Sequence, residues 1–190
     1  MTTHRTVTGR QKEGGQKTNV TAHLSQCLAL LYLQEKYPKT IIRSNTDQDK
    51  GGPPHDIEQF SKDDHEQLRR GLVPYLGSSE KTIFSDNPDP LHIWEVKSLI
   101  RKNKTYPVNP NAHQKLIGVK TKKGIKGISY AVVLFENDLN YSSDKLTCRY
   151  QIREISGKEM TGLLRKAKSN KGYKKIRSSW IFTKVARRKN

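Results

Sequence analysis

The segment Ile128-Ser-Tyr-Ala-Val-Val-Leu-Phe135 constrains this chain more than any other stretch. It is the most apolar strand candidate in the sequence, and its apolar residues do not alternate with polar ones. A strand of this kind needs cover on both faces, which is the situation of a sheet between helical layers. Two helices are readable as cover. Val20, Leu24, Cys27, Leu28 and Leu31 recur at three- and four-residue spacing, which predicts a helix from Asn19 to Glu35, capped by Thr18 or Asn19 and stopped by Pro38. Ser156-Gly157-Lys158-Glu159 is a capping box, with Ile155 and Met160 spaced as its hydrophobic staple, and the helix it opens should run to about Lys168. The expected class is α/β, a mixed sheet of about five strands flanked by helices.

The remaining elements follow from local signals. Thr40–Arg43 is a short strand candidate, and 44–55 is a polar loop. Asp56–Phe60 reads as a strand or as the lead into a helix over 62–70, with Ser61 and Asp64 as its cap. Thr82–Phe84 should pair in a hairpin with a strand over 91–98. A basic, Pro/Asn-rich connection spans 102–115, and a basic turn lies around Gly124–Gly127. Leu146, Cys148, Tyr150 and Ile152 alternate as the inward face of a strand, and Trp180–Val185 reads as a last one. Residues 1–17, without apolar periodicity, are expected to be a flexible arm, and 18–190 a single domain.

Charge divides the chain. Residues 1–96 carry 12 Lys and Arg against 13 Asp and Glu, a net of −1. Residues 97–190 carry 24 against 5, a net of +19. A half-chain this basic is expected to meet a polyanion, with DNA or RNA the first candidate. No apolar run approaches a membrane span, and the N-terminus lacks the apolar core of a signal peptide, so the expected location is cytoplasmic. Cys27 and Cys148 sit in apolar periodic stretches and are expected as buried free thiols. His4, His23, His55, His65, His92 and His113 form no paired ligand motif, which argues against a ββα-metal site.

The charge boundary falls at Lys97, inside Asp86-Asn-Pro-Asp-Pro-Leu-His-Ile-Trp-Glu-Val-Lys-Ser98. In a strand, Glu95 and Lys97 share one face, with Trp94 and Val96 on the other. This is the single acid-x-Lys triplet of the chain, and it falls in a strand rich in β-branched and aromatic residues. An acid and an amine at such a place suit a divalent metal held by the carboxylate, with the ammonium beside a water or a phosphate oxygen. A solvated pair on the polar face of an amphipathic strand is the plain alternative.

Helix, strand, acid-x-Lys strand, connection and long apolar strand, in that order over residues 18–135, resemble the PD-(D/E)xK nuclease superfamily, to which many type II restriction endonucleases and junction resolvases belong. The resemblance implies a restriction-endonuclease-like fold, Mg²⁺-dependent hydrolysis of double-stranded DNA and a homodimer. It also implies that Glu95 and an upstream Asp are metal ligands and that Lys97 contacts the attacking water or the scissile phosphate. Asp89 completes a literal Pro-Asp string. At about 3.3 Å per strand residue it lies too far from Glu95, and it is read as a turn residue. Asp86, eight residues before Glu95, and Asp56, after the loop Gly51–His55, both remain as the missing ligand. Glu35 is a further possibility, or a surface residue near a helix end. Lys120, Lys122, Lys123, Lys126, Lys171, Lys174, Lys175 and Arg177 are the expected nucleic-acid contacts, and Tyr173 is placed to stack or to touch sugar. The rival readings are a basic nucleic-acid-binding protein without catalysis, such as a ribosomal or regulatory RNA binder, and a structure-specific junction resolvase.

Overall fold

The computed structural model describes residues 9–44, 55–64, 89–100, 105–123, 125–136, 140–142, 145–170 and 172–182. It is mixed α/β, with a five-stranded mixed sheet and, among the described residues, three α-helices. Helix α1 (Gly9–Lys36) precedes strands β1 (Thr40–Ser44), β2 (Ile57–Ser61) and β3 (His92–Ile100). Strand β4 (Thr105–Val108) and helix α2 (Pro110–Lys123) then lead to β5 (Gly127–Phe135). The short hairpin β6 (Asn140–Ser142) and β7 (Lys145–Thr147) comes before β8 (Tyr150–Ser156) and α3 (Gly157–Lys166). Strands β9 (Lys168–Asn170) and β10 (Tyr173–Arg177) end in a 3-10 turn at Ser178–Trp180.

The main sheet has the order β1-β2-β3-β5-β8. Strand β2 is antiparallel to β1 and β3, β5 is parallel to β3, and β8 is antiparallel to β5. Parallel neighbours need a crossover, and the chain between β3 and β5 supplies it, with α2 included. Strand β5 is buried along Ile128–Phe135, as its composition requires. One face packs Trp94, Val96, Ala131, Val133 and Phe135 against α1, and the other packs Ile93, Leu99, Tyr130, Val132 and Leu134 against residues of α2 and α3. A second sheet, β4-β10-β9, adds Tyr106, Val108 and Ile176 to that latter core.

Several expectations are corrected. Helix α1 begins at Gly9, so part of the expected arm is helical. Arg10, Gln11, Lys12 and Glu13 are good helix formers without an apolar face, and periodicity reports burial rather than helicity. The buried line of α1 is Ser25, Ala29 and Leu33, whereas Val20 and Leu31 are 41% and 62% exposed and Cys27 is also exposed. Small residues let the helix lie close to the sheet, with Leu24, Leu28 and Leu30 packing at its flanks. Cys148 is half-buried, and both thiols are free.

Residues 110–123, expected as part of a connection and a basic turn, are helix α2. Asn109 accepts hydrogen bonds at Oδ1 from the Asn111 and Ala112 amides (2.9 and 3.4 Å), and Pro110 takes the first helical position, where it needs no donor. The expected strand over 146–152 is broken at 148–149, and Tyr150 is 46% exposed rather than inward. Of the expected strand Trp180–Val185, Trp180–Phe182 is a 3-10 turn and its exit, and 183–185 lie outside the described residues. The strand of this region is β10, whose one buried apolar residue, Ile176, gives almost no hydropathy signal. Strand β3 pairs with β2. The expected partner Thr82–Phe84 lies outside the described residues, as do most of 62–70 beyond a 3-10 turn at Lys62–Asp64. One half of the capping box forms: Ser156 Oγ accepts from the Glu159 amide at 3.1 Å, while the Glu159 carboxylate takes Arg153 instead, and Ile155 and Met160 are fully buried.

Candidate active site

The β2–β3 ladder brings an aspartate to the acid-x-Lys strand. Ile57 pairs with Trp94, and the amide of Asp56, one residue before β2, donates to the Trp94 carbonyl at 2.8 Å. Asp56 then continues the ladder with its side chain. Oδ2 accepts from the Val96 amide at 2.6 Å, in the place where a backbone carbonyl would otherwise serve, and Oδ1 accepts from Gln26 Nε2 of α1 at 2.8 Å. The Asp56 carboxylate, 9% exposed as a residue, is thus fixed from two sides beside the backbone that carries Glu95.

Glu95 and Lys97 project together from β3, opposite to Trp94 and Val96. Lys97 Nζ donates to Glu95 Oε1, and the two side chains are 32% and 20% exposed. Burial pushes the Glu95 carboxyl above its ordinary range. Lys97 pulls it down, the Asp56 charge pushes it up again, and the net shift is upward. The charge of Asp56 thus acts on Glu95. Glu95 stands opposite Tyr130 in the parallel register, and burial together with the Glu95 charge holds the Tyr130 phenol high. The Tyr130 hydroxyl lies 2.8 Å from His113 Nδ1, and His113 Nε2 lies 2.8 Å from Thr161 Oγ1, so the site is tied to α2 and α3.

An ionic support stands beside it. Glu58 takes Arg43 Nε at 3.1 Å and lies 2.8 Å from His55 Nε2. Burial alone would raise the Glu58 carboxyl, but His55 and Arg43 outweigh it and lower it. Gln26, His55, Glu58 and Tyr130 were not singled out as site residues from sequence. His55 had one signal, its adjacency to Asp56; the Gln26 contact spans thirty positions and leaves no local pattern.

The other candidates fall elsewhere. Asp89 is exposed and precedes the strand, and Glu35 is exposed near the end of α1. His92 shares the Trp94 face, with Nε2 3.0 Å from Ser129 Oγ and its ring 4.3 Å from the indole. Asp86 and Lys171 lie outside the described residues. Lys120, Lys122 and Lys123 are in the last turns of α2, and Lys126 is exposed just after it. Lys175 and Arg177 are exposed on β10, whereas Lys174 turns to the other side and donates to the Ala167 carbonyl at 3.1 Å.

Among the described residues, no group of three or more His, Cys, Asp and Glu is gathered to hold a metal. A magnesium ion does not require three. It is commonly held by one or two carboxylates, with waters and substrate phosphates filling the octahedron. Asp56 and Glu95 fit that donor set: two oxygen-only ligands, one rigidly placed, whose mutual repulsion a cation would relieve. No protein-family model, curated protein or solved structure matches the chain.

Proposed function

We propose that the protein is a Mg²⁺-dependent endonuclease that hydrolyses phosphodiester bonds of double-stranded DNA, in the manner of a type II restriction enzyme. The observation that carries this reading is Asp56 locked onto the Val96 amide beside Glu95, with Lys97 on the same face. The order of elements is a second support: a helix, antiparallel strands ending in acid-x-Lys, a helical crossover, and a long apolar strand parallel to the first. Asp56, rather than Asp86, is the aspartate of the proposal.

In this reading Asp56 and Glu95 hold the ion. Bound there, it would lower the pKa of a coordinated water and stabilise charge on the phosphoryl oxygens. Gln26 and the Val96 amide keep Asp56 in one rotamer, so that the carboxylate need not reorganise when substrate arrives. Lys97 leaves Glu95 for the scissile phosphate and stabilises the charge that builds on its oxygens. Tyr130 and the β3 backbone restrict Glu95 to one side of the strand. The +19 charge of residues 97–190 supplies affinity for the DNA backbone. Two such sites are needed to cut both strands, and a homodimer provides them.

The test is cleavage of supercoiled plasmid with and without Mg²⁺. Discrete Mg²⁺-dependent fragments, abolished by Asp56→Ala, Glu95→Ala and Lys97→Ala, are expected. Tight binding without cleavage across divalent ions would overturn the reading in favour of a binder. Sedimentation of a monomer both free and on DNA would remove the homodimer.

A further inference from the structure

We infer that the outer face of the β4-β10-β9 sheet is a second nucleic-acid contact, which takes an unpaired strand and stacks a base on Tyr173. Burial along β10 alternates: Tyr173, Lys175 and Arg177 are exposed, while Ile176 is buried in the core. The three exposed side chains therefore line one face, about 6.6 Å apart at strand spacing. Tyr173 is 47% exposed at the start of the strand, next to Gly172, whose positive φ of 80° makes the tight turn from β9. The Arg177 guanidinium carbon lies 5.5 Å from the centre of the Trp180 ring, within cation–π range, while the residue remains exposed.

The register adds an observation that points to an anion. Lys175 stands directly opposite Lys168, and both are exposed. Like charges in a cross-strand pair are destabilising, and a phosphate between them reverses that sign. Nothing nearby in the sequence neutralises them. Residues 160–190 carry eleven Lys and Arg and no Asp or Glu, and Glu159 at the far end of α3 is engaged by Arg153 at 3.1 Å. A polyanion with π-faces meets both requirements, whereas an acidic peptide would satisfy the lysines and leave Tyr173 without a partner. Within a duplex the base faces are covered by their neighbours, so stacking on a side chain calls for an unpaired base. If the protein is the nuclease proposed above, this face would engage a single-stranded segment beside the duplex it cuts.

The experiment is fluorescence anisotropy in EDTA, where no cleavage occurs, with labelled oligothymidylate and with a mixed-sequence duplex. Tyr173→Ala should weaken oligothymidylate binding about five- to a hundredfold, and Tyr173→Phe should retain it, as stacking predicts. Duplex affinity should stay within about twofold, since duplex contacts go mainly to the backbone. Lys175→Ala should flatten the salt dependence on the single strand by about 0.7 in log–log slope. Equal loss on both probes, or none on either, with the fold intact by circular dichroism, would overturn the inference. Because binding is read without metal, a protein that never cuts DNA can still pass this test, and a competent nuclease can fail it.

Discussion

Two glutamates are set into the central sheet on opposite faces, and they are treated differently. Glu154 of β8 faces α1 and accepts from Lys36 Nζ (2.6 Å), Tyr37 Oη (2.9 Å) and Trp94 Nε1 (2.9 Å). Burial pushes its carboxyl up, but these three donors outweigh burial and hold it below its ordinary range. Glu95 of β3 faces the other way and accepts from Lys97, with Asp56 as a like-charged neighbour, and it is held above the range. Their exposures are similar, 14% and 20% of the side chain. Burial pushes both carboxyls up, and more strongly at Glu95; three donors outweigh it at Glu154, and the single donor at Glu95 does not. A carboxylate satisfied by three donors joins elements together: the end of α1, β3 and β8. A carboxylate given one donor and a second acid keeps an unmet need for positive charge, and the proposed function assigns that place to a cation.

The sharpest way to break this comparison is to remove each charge in turn. Glu95→Gln and Lys97→Ala should each lower Mg²⁺-dependent cleavage by at least about a hundredfold, the scale of losing a group that stabilises developing charge. Glu95→Gln should leave the urea midpoint unchanged or raise it, because a repulsion with Asp56 is relieved, whereas Lys97→Ala should lower it, because Glu95 then loses its donor. Metal binding, followed by isothermal calorimetry, should weaken in Glu95→Gln and survive in Lys97→Ala. A Glu95 variant that cuts like wild type would reduce the pair to a surface salt bridge.

A step down in size is the support of Asp56. Gln26→Leu removes the donor to Oδ1 while keeping bulk on α1, and the amide of Val96 remains. Cleavage should fall about 10–100-fold, the range for a residue that orients a metal ligand. Raising the Mg²⁺ concentration should recover part of the loss, which a merely unfolded fraction would not show.

These contacts also mark what a sequence can carry. The acid-x-Lys strand, β5 and the capping box of α3 were legible because strand alternation, apolar runs and caps are local and act within a few residues. Helix α2 was not, although its start was written in Asn109-Pro110: a Pro/Asn pair signals a turn as readily as a capped helix. The buried side of α1 was misplaced because Ser25 and Ala29 carry little hydropathy, yet their small size lets the helix approach the sheet. Asp56 and Asp86 remained equal candidates for the same kind of reason. The choice depends on which strand lies beside β3, and the pairing of Ile57 with Trp94 is a contact between residues far apart in the chain.

On the α1 side of the sheet the expected effect is on stability. Glu154→Ala leaves the buried Trp94 indole N–H and the Tyr37 hydroxyl without their acceptor and frees Lys36. Loss of a buried acceptor costs about 1–3 kcal/mol, to be read as a lower urea midpoint at unchanged m-value. Cleavage per folded molecule should stay near wild type. If Glu154→Ala instead abolishes cleavage without loss of stability, the division of labour between the two faces is wrong.

The smallest effect distinguishes the two glutamates by sign. The folded-state pKa of Glu154 lies below its ordinary value of about 4.5. Its contribution is therefore fully present above that value and is lost as pH falls through the depressed folded pKa. Glu95 has a folded pKa above its ordinary value, so its ionisation opposes folding, and the opposition grows as pH rises from about 4.5 through the raised value. Urea unfolding without metal should resolve the two. Glu154→Gln should flatten the fall in stability on the acid side of 4.5 and leave the region above it parallel to wild type. Glu95→Gln should do the reverse, with the variant gaining on wild type as pH rises above 4.5. Saturating Mg²⁺ should reverse the Glu95 difference, because a bound cation makes ionisation favourable and stabilises wild type over the variant, and should leave that of Glu154 untouched. Parallel pH profiles for both variants would mean that the two carboxylates are electrostatically alike, and the contrast between a joining carboxylate and a waiting one would fail.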